Sequence, residues 1–410
     1  MIPFQYRCTQ CNRTYERDDV RYLCPECART YRPGIPLQGV LEVVFNWDLL
    51  RARWDATDPD WDLFTPVERE FLPPYAAGGT PLVQADRLGQ VLGVWNLSLK
   101  NDGLNPSGSL KDRASFLVVA EAIRLGEDRI VTASTGNAAS ALAAVCAAAG
   151  KEAIIFVPAT APRAKIAQIL LYGATLIPVA GSYDDAFRLS LEYTGAEGGL
   201  NRNTAYHPLT VEGKKTAGLE IFAQNGMKAP DVIVVPAGDG VILHGVFKAF
   251  ADLRAAGFIT TLPRLLAVQA DRSDAIHRFF STGTYADAPS PDTCADSISV
   301  RTPSNALMAR RALLESRGTS ATVSDQEILE AQALIARTTG VFAEPAAAAT
   351  IAGLSRAKEA GWIDPDEHVV ALITGHGLKD IDSALQGIEM PPAVEPELEA
   401  VRRFLAGGKK

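Results

Sequence analysis

At 410 residues, with 47% hydrophobic and 21% charged residues, the chain is long enough for two or three cored domains and has the balance of a soluble globular protein. A net charge of −8 argues against a nucleic-acid-binding surface, which needs clustered Lys and Arg. No apolar run reaches the roughly 18–20 residues of a membrane span, and the start MIPFQYRCTQ lacks the charged and apolar regions of a secretory signal, so a cytoplasmic protein is expected.

Four of the six cysteines come first. Cys8, Cys11, Cys24 and Cys27 are spaced as Cys-x2-Cys, twelve residues, Cys-x2-Cys. Reduced surface thiols or a disulfide pair are the bland readings. A cytosolic chain disfavours disulfides, however, and two such pairs suit four thiolates around tetrahedral zinc. Four protein ligands leave no position for water, so this zinc is expected to be structural. Cys146 and Cys294 stand alone and read as small buried apolar residues. A zinc ribbon is expected over residues 1–45, ending in the strand-like run GVLEVVFNW. Residues 46–75, with the turns DPDW and FLPPY, read as a connecting arm.

From GGTPLVQA onward the chain alternates. RIVTAS, EAIIFVP, ATLIPVA, DVIVVPAG, RLLAVQA and HVVALITG are short β-branched runs separated by stretches of helical periodicity. That order predicts a parallel α/β sheet buried on both faces, with ligands beyond the carboxyl ends of its strands. This core is expected over 76–390, with a tail over 391–410 that frays at AGGKK. Four small-residue loops stand at the right places. ASTGNAAS follows RIVT, PAGDGVILHG follows DVIVV, TGHGLKD follows HVVALI, and NPSGSLKDRAS leads into the apolar helix FLVVAEAIRLG.

Each loop has two readings. GDG is a common turn, or a set of backbone N–H groups that cradles a phosphate at a helix start. STGN caps the alanine-rich helix behind it, or binds a ligand. Lys111 is an exposed first-turn charge in a Lys-Asp-Arg cluster, or one amine held for covalent chemistry. His207, His244, His277, His368 and His376 have no metal-ligand spacing and read mostly as surface or satisfied core residues. No G-x-S-x-G elbow is present.

Taken together, NPSGSLKDRAS, STGNAAS, the glycine loop, EGKKTAGLEI, EPAAAA and TGHGLKD resemble the fold-type-II pyridoxal-phosphate (PLP) enzymes. This is the tryptophan-synthase-β-like family, and the nearest likeness is its threonine-synthase-like branch. The resemblance covers roughly residues 70–390, and the cysteine ribbon is also found on many chains of that branch. It implies two α/β domains around parallel sheets, a smaller mobile one at about 115–205 and a larger one from 76–114 and 206–390, with the cofactor between them. Lys111 would be the covalent anchor of the cofactor and a proton carrier, kept neutral by desolvation and by nearby Arg113. Asn137 would hydrogen-bond the cofactor's phenolic oxygen, and Ser134 and Thr135 would hold the substrate carboxylate. Gly238, Asp239, Gly240 and Val241 would bind the cofactor phosphate through backbone donors, with the Asp239 side chain turned away. Thr374, otherwise a strand-end turn residue, would face the pyridine nitrogen. A hydroxyl there suits elimination and replacement at Cβ or Cγ more than transamination. His376 could tune the site.

The activity implied is that of a PLP-dependent lyase converting O-phospho-L-homoserine and water to L-threonine and phosphate. The partner expected is a small amino-acid substrate, with no nucleic acid and no membrane, in a homodimer. The distal substrate site departs from the branch's pattern. Its arginine two residues before Glu-Gly is Thr210 here, its Asn-Ser is Thr204-Ala205, and Ala138 follows STGN. GDGVI also replaces the usual Gly-Asn-Ala-Gly-Asn. Lys214, Lys215, Arg163 and Lys165 are the candidate replacement cations. A cysteate-synthase-like or ammonia-lyase-like reaction is the second reading, and a zinc-ribbon binding module with a non-catalytic body is the third.

Overall fold

A computed structural model of the chain describes all residues except 33, 135, 160–162, 387, 389 and 408–410; the side chains of 163–165, 183 and 184 also lie outside the description. Strands β1 (Phe4–Cys8), β2 (Thr14–Tyr15) and β3 (Leu41–Phe45) form a small antiparallel sheet in the order β2-β1-β3. The following stretch is no loose linker. Helix Trp47–Arg53 leads to Trp54, whose ring lies 5.0 Å from Trp61 and 4.7 Å from Phe258 of the main body.

The remaining strands are β4 (Leu82–Gln84), β5 (Asn96–Asn101), β6 (Arg129–Ala133), β7 (Glu152–Pro158), β8 (Thr175–Val179), β9 (Leu200–Asn201), β10 (Val232–Pro236), β11 (Arg264–Ala270), β12 (Thr319–Val323) and β13 (His368–Ile373). They make a six-stranded sheet, β12-β11-β10-β13-β5-β4, and a four-stranded one, β8-β7-β6-β9. All pairings are parallel except β4 with β5 at an edge. Every residue of β10 is buried, which is the signature of a strand covered by helices on both faces. Among the described residues no helix is long and apolar enough to cross a membrane.

The parallel strands bring the loops together. The Leu110 N–H donates to the Thr374 carbonyl (2.9 Å) and the His376 N–H to the Gly108 carbonyl (3.0 Å), so the segment before helix Lys111–Leu125 is stitched to the end of β13. The same helix is fixed from behind by Arg113. Its guanidinium donates to Asp102 Oδ2 (2.7 Å) and Oδ1 (2.9 Å), Glu220 Oε1 (2.6 Å) and Oε2 (2.8 Å), Thr216 Oγ1 (2.9 Å) and Thr80 Oγ1 (3.0 Å). Lys100 joins through Glu220 at 2.5 Å. Helix Leu209–Gln224, which carries Glu220 and Thr216, crosses so closely that a β-carbon on Gly213 would fall 2.3 Å from the Arg113 carbonyl oxygen.

Gly213→Ala should therefore destabilise the protein. Helix propensity favours alanine by about 1 kcal/mol, but backbone cannot yield to a 2.3 Å contact. A net loss of about 1–3 kcal/mol is expected in urea unfolding.

Candidate active site

The segment ahead of Lys111 is folded by its neighbour Asp112. That carboxylate accepts hydrogen bonds from the Ser107 N–H (2.8 Å), the Ser107 hydroxyl and the Tyr75 hydroxyl (2.8 Å). Gly108 supplies a φ of +87°, where a side chain would be strained. Asp112 and Arg113 are both buried, so the Lys-Asp-Arg triplet is not a solvated charge cluster.

Lys111 is half-buried at the first position of the helix. Desolvation pulls its amine down to about 8, Glu344 opposes that shift, Arg202 adds to it, and Asp239 again opposes. Arg113 does not contribute as expected. Two residues along a helix is a rotation of about 200°, and its charge is matched on the far side by Asp102 and Glu220.

The glycine loop runs from the end of β10 into helix Val241–Ala255. A β-carbon on Gly238 would come within 2.9 Å of Ile298 Cα, and one on Gly240, at φ +84°, within 2.8 Å of Ala309 Cβ. The loop is thus a bare backbone cradle. The Asp239 carboxylate accepts from the Ser304 N–H (3.0 Å), which ties it to the neighbouring turn.

Asn137, first in helix Asn137–Ala149, donates from Nδ2 to Glu344 Oε2 (2.8 Å) and Ser297 Oγ (3.2 Å). Ser134 accepts from the Gly136 N–H at 3.2 Å; Thr135 lies outside the described residues. Thr374 is buried just past β13, and at Gly375 any side chain would overlap the Glu344 carboxylate. A cavity of about 320 Å³ opens here, lined by Gly136, Asn137, Ser140, Gln168, Glu344 and Lys379 among others. Lys379 reaches across it, donating to Gln168 Oε1 (2.5 Å), Ser140 Oγ (2.9 Å) and the Ser107 carbonyl (3.1 Å).

Glu344 was legible only as part of EPAAAA, because a glutamate before proline reads as a helix start. It does stand at the N-cap of helix Pro345–Glu359, yet its side chain faces Asn137 and Lys111, and burial raises its pKa. His376 accepts from the Leu378 N–H (3.1 Å) and so caps its own turn. His207 and His244 are core residues but not fully satisfied ones. Burial pulls both down to about 4, and each Nε2 is without a hydrogen-bond partner among the described residues.

The ribbon cysteines converge. The Cys8–Cys27 and Cys11–Cys24 sulfur pairs are each 3.8 Å apart, and all four sulfurs lie within 4.8 Å of one another. A tetrahedron with metal–sulfur bonds of about 2.3 Å has edges of about 3.8 Å, so the set fits zinc. The Tyr15 hydroxyl, 3.1 Å from Cys24 Sγ, supplies an outer contact of the kind such sites use.

A desolvated lysine, a side-chain-free cradle at a helix start and a polar cavity between two parallel sheets define a fold-type-II PLP enzyme. The family profile described as "Pyridoxal-phosphate dependent enzyme" matches residues 74–375, and the chain belongs to that family. Within it the chain is a lyase of threonine-synthase-like type. Threonine synthase of Methanosarcina acetivorans is 35% identical, with 99% of this chain and 100% of the relative aligned. That of Methanocaldococcus jannaschii is 34% identical over 97% and 98%. Among solved structures, O-ureido-L-serine synthase (TM-score 0.66, 21% identity, 80% of this chain and 97% of that one) and threonine deaminase isoform 2 of Solanum lycopersicum (0.65, 20%, 85% and 92%) share the fold. The curated relatives favour neither the cysteate-synthase-like nor the ammonia-lyase-like reading.

Only the neutral amine attacks an aldehyde. Relinking of pyridoxal phosphate to cofactor-stripped protein, followed by stopped-flow absorbance, should accelerate with pH and level off above about 8. An ordinary lysine would keep accelerating toward about 10.4.

Proposed function

We propose that the enzyme converts O-phospho-L-homoserine and water to L-threonine and phosphate. The observation that carries this reading is the 35% identity to a threonine synthase over nearly the whole of both chains, set beside a Lys111 amine that burial lowers to about 8. When bound, PLP supplies the electron sink that stabilises negative charge at the substrate's carbons. Lys111 would anchor it and would carry protons at the substrate's Cα and then at Cβ and Cγ. Gly238, Asp239, Gly240 and Val241 hold the cofactor phosphate through backbone N–H groups, supported by the cradle that side chains would fill. Asn137, steadied by Glu344, orients the ring oxygen. Ser134 and Thr135 receive the substrate carboxylate. Thr374, a neutral hydroxyl, would face the ring nitrogen and could not keep it protonated.

Residues 115–205 are taken as the smaller unit that closes over the substrate, and the protein as a cytosolic homodimer, which sedimentation checks. Incubation with O-phosphohomoserine should release threonine and phosphate in equal amounts. Lys111→Ala should lower turnover by at least about a thousandfold, and borohydride reduction followed by peptide mapping should find a pyridoxyl group on Lys111 in the parent alone. Activity on phosphoserine or serine with no turnover of O-phosphohomoserine would sink the assignment.

The zinc is structural in the same reading. Cys8, Cys11, Cys24 and Cys27 would hold one ion and close the ribbon around it. Metal analysis should find one zinc per chain. Cys24→Ser should remove it and lower the melting temperature by about 5 °C or more.

A further inference from the structure

The outer side of the glycine loop is covered by the cysteine ribbon. Leu37 and Val40, from the stretch between helix Pro25–Ala28 and β3, form a small apolar cluster with Ala205, Val211 and Val241, separate from the main core. Leu37 is 4% and Val40 3% exposed. Val241 opens the helix that follows the loop and is one of the four residues assigned above to the cofactor phosphate. A chain of hydrogen bonds runs beside this cluster. The Leu37 N–H donates to the Ser304 carbonyl (2.9 Å), the Ser304 N–H to Asp239 Oδ1 (3.0 Å), and the Asn305 N–H to the Asp239 carbonyl (3.0 Å). The Asn305 side chain also meets His244 Nδ1 (3.1 Å), one turn into the helix. Ser304 and Asn305 are thus held by the loop on one side, and Ser304 by the ribbon on the other.

The covering stretch is itself fastened to both cysteine pairs. The Val40 carbonyl accepts from the Thr9 N–H (3.0 Å), next to Cys8, and the Gly39 carbonyl accepts from the Cys24 N–H (2.8 Å). Gly39, at φ +78°, lies so near the second pair that a β-carbon there would fall 3.0 Å from the Cys24 carbonyl oxygen. Three short strands are too small a core to hold two such knuckles without a metal. Loss of the ion would free the stretch 37–40 and uncover Ser304 and Val241. A backbone cradle binds phosphate well only when its N–H groups are already aligned, because aligning them at the moment of binding costs entropy.

We propose that the stretch 37–40 is the outer wall of the cofactor-phosphate cradle, with Leu37 as a positioning residue, so that zinc in the ribbon and pyridoxal phosphate in the cradle bind cooperatively. Leu37 acts through Ser304, Asn305 and Val241. By linkage each ligand raises the other's affinity by the same factor. This rests on the zinc and cofactor-phosphate readings under Proposed function and adds the connection between them.

The unmutated protein supplies the first test. Its zinc affinity, from competition with a chelating dye, should be about five- to a hundredfold higher with pyridoxal phosphate loaded than with the cofactor stripped. Leu37→Ala should keep its zinc but bind pyridoxal phosphate about tenfold more weakly in equilibrium dialysis, and the phosphorus-31 resonance of the bound cofactor should broaden. The matched control is Leu50→Ala, in a fully buried leucine of the arm that lies outside the cradle cluster and costs stability of the same kind. It should leave cofactor affinity within about twofold of the parent and the resonance unchanged. Equal zinc affinity with and without cofactor would overturn the proposal. So would a cofactor affinity that falls in neither variant, or as far in Leu50→Ala as in Leu37→Ala. A parent that takes up no zinc, or no pyridoxal phosphate, refutes the readings beneath the proposal and the proposal with them; equal affinities in a parent that binds both refute the proposal alone.

Discussion

The position of Lys111 depends on a charge two residues away that never enters the site. Arg113 is among the most deeply buried large side chains in the protein and uses its guanidinium on Asp102, Glu220, Thr80 and Thr216. Burying such a group is costly unless every N–H finds a partner. Satisfied as it is, it fixes the rotation and height of the helix start, because those partners come from the segment after β5, the segment leading into β4, and the crossing helix. Removing one partner would strand a charge in the interior. The chemistry at one face of the helix is therefore set by ion pairing at the other.

A second constraint is close backbone contact. Gly213 lets two helices cross at the Arg113 carbonyl, Gly238 and Gly240 keep side chains out of the cradle, and Gly375 leaves room for the Glu344 carboxylate. Each occupies a place where a β-carbon would intrude on a neighbour needed for the site. Glu344 accepts from Asn137 in the loop after β6 and donates its own N–H to the Gly375 carbonyl after β13 (2.9 Å), so one residue joins two loops distant in sequence.

Much of this was legible in the sequence, for physical reasons. β10, β11 and β13 are apolar runs because both faces of a parallel sheet are covered, and the small-residue loops fall where the strands end. β5 was not legible. NLSLKN carries a lysine and two asparagines that solvent ought to claim, and burial of Lys100 is tolerable because its ammonium meets Glu220 (2.5 Å), the Thr80 carbonyl (2.6 Å) and Gln224 Oε1 (2.9 Å), partners 20 to 124 residues away in the chain. Arg113 was misjudged because adjacency in sequence suggests adjacency in space, which helical rotation undoes. Arg202 gave no signal at all, since nothing local distinguishes an arginine that ends up under a catalytic helix. Patterns encode burial and turns well; long-range pairings of charged groups they do not encode.

The cysteine ribbon touches the body behind it in two separate places. On one side Arg17 pairs with Glu121 at 2.7 Å, Arg21 with Glu127 at 2.9 Å, and Tyr22 stacks on Tyr206 at 4.5 Å while accepting from the Asn201 N–H. On the other, the Leu37 N–H donates to the Ser304 carbonyl, and Phe45 lies under the Lys215 ammonium at 4.7 Å. A module clamped to both banks acts as a strap across a gorge. Separating those two surfaces would require one set of these contacts to break, so the ribbon adds to the cost of parting them.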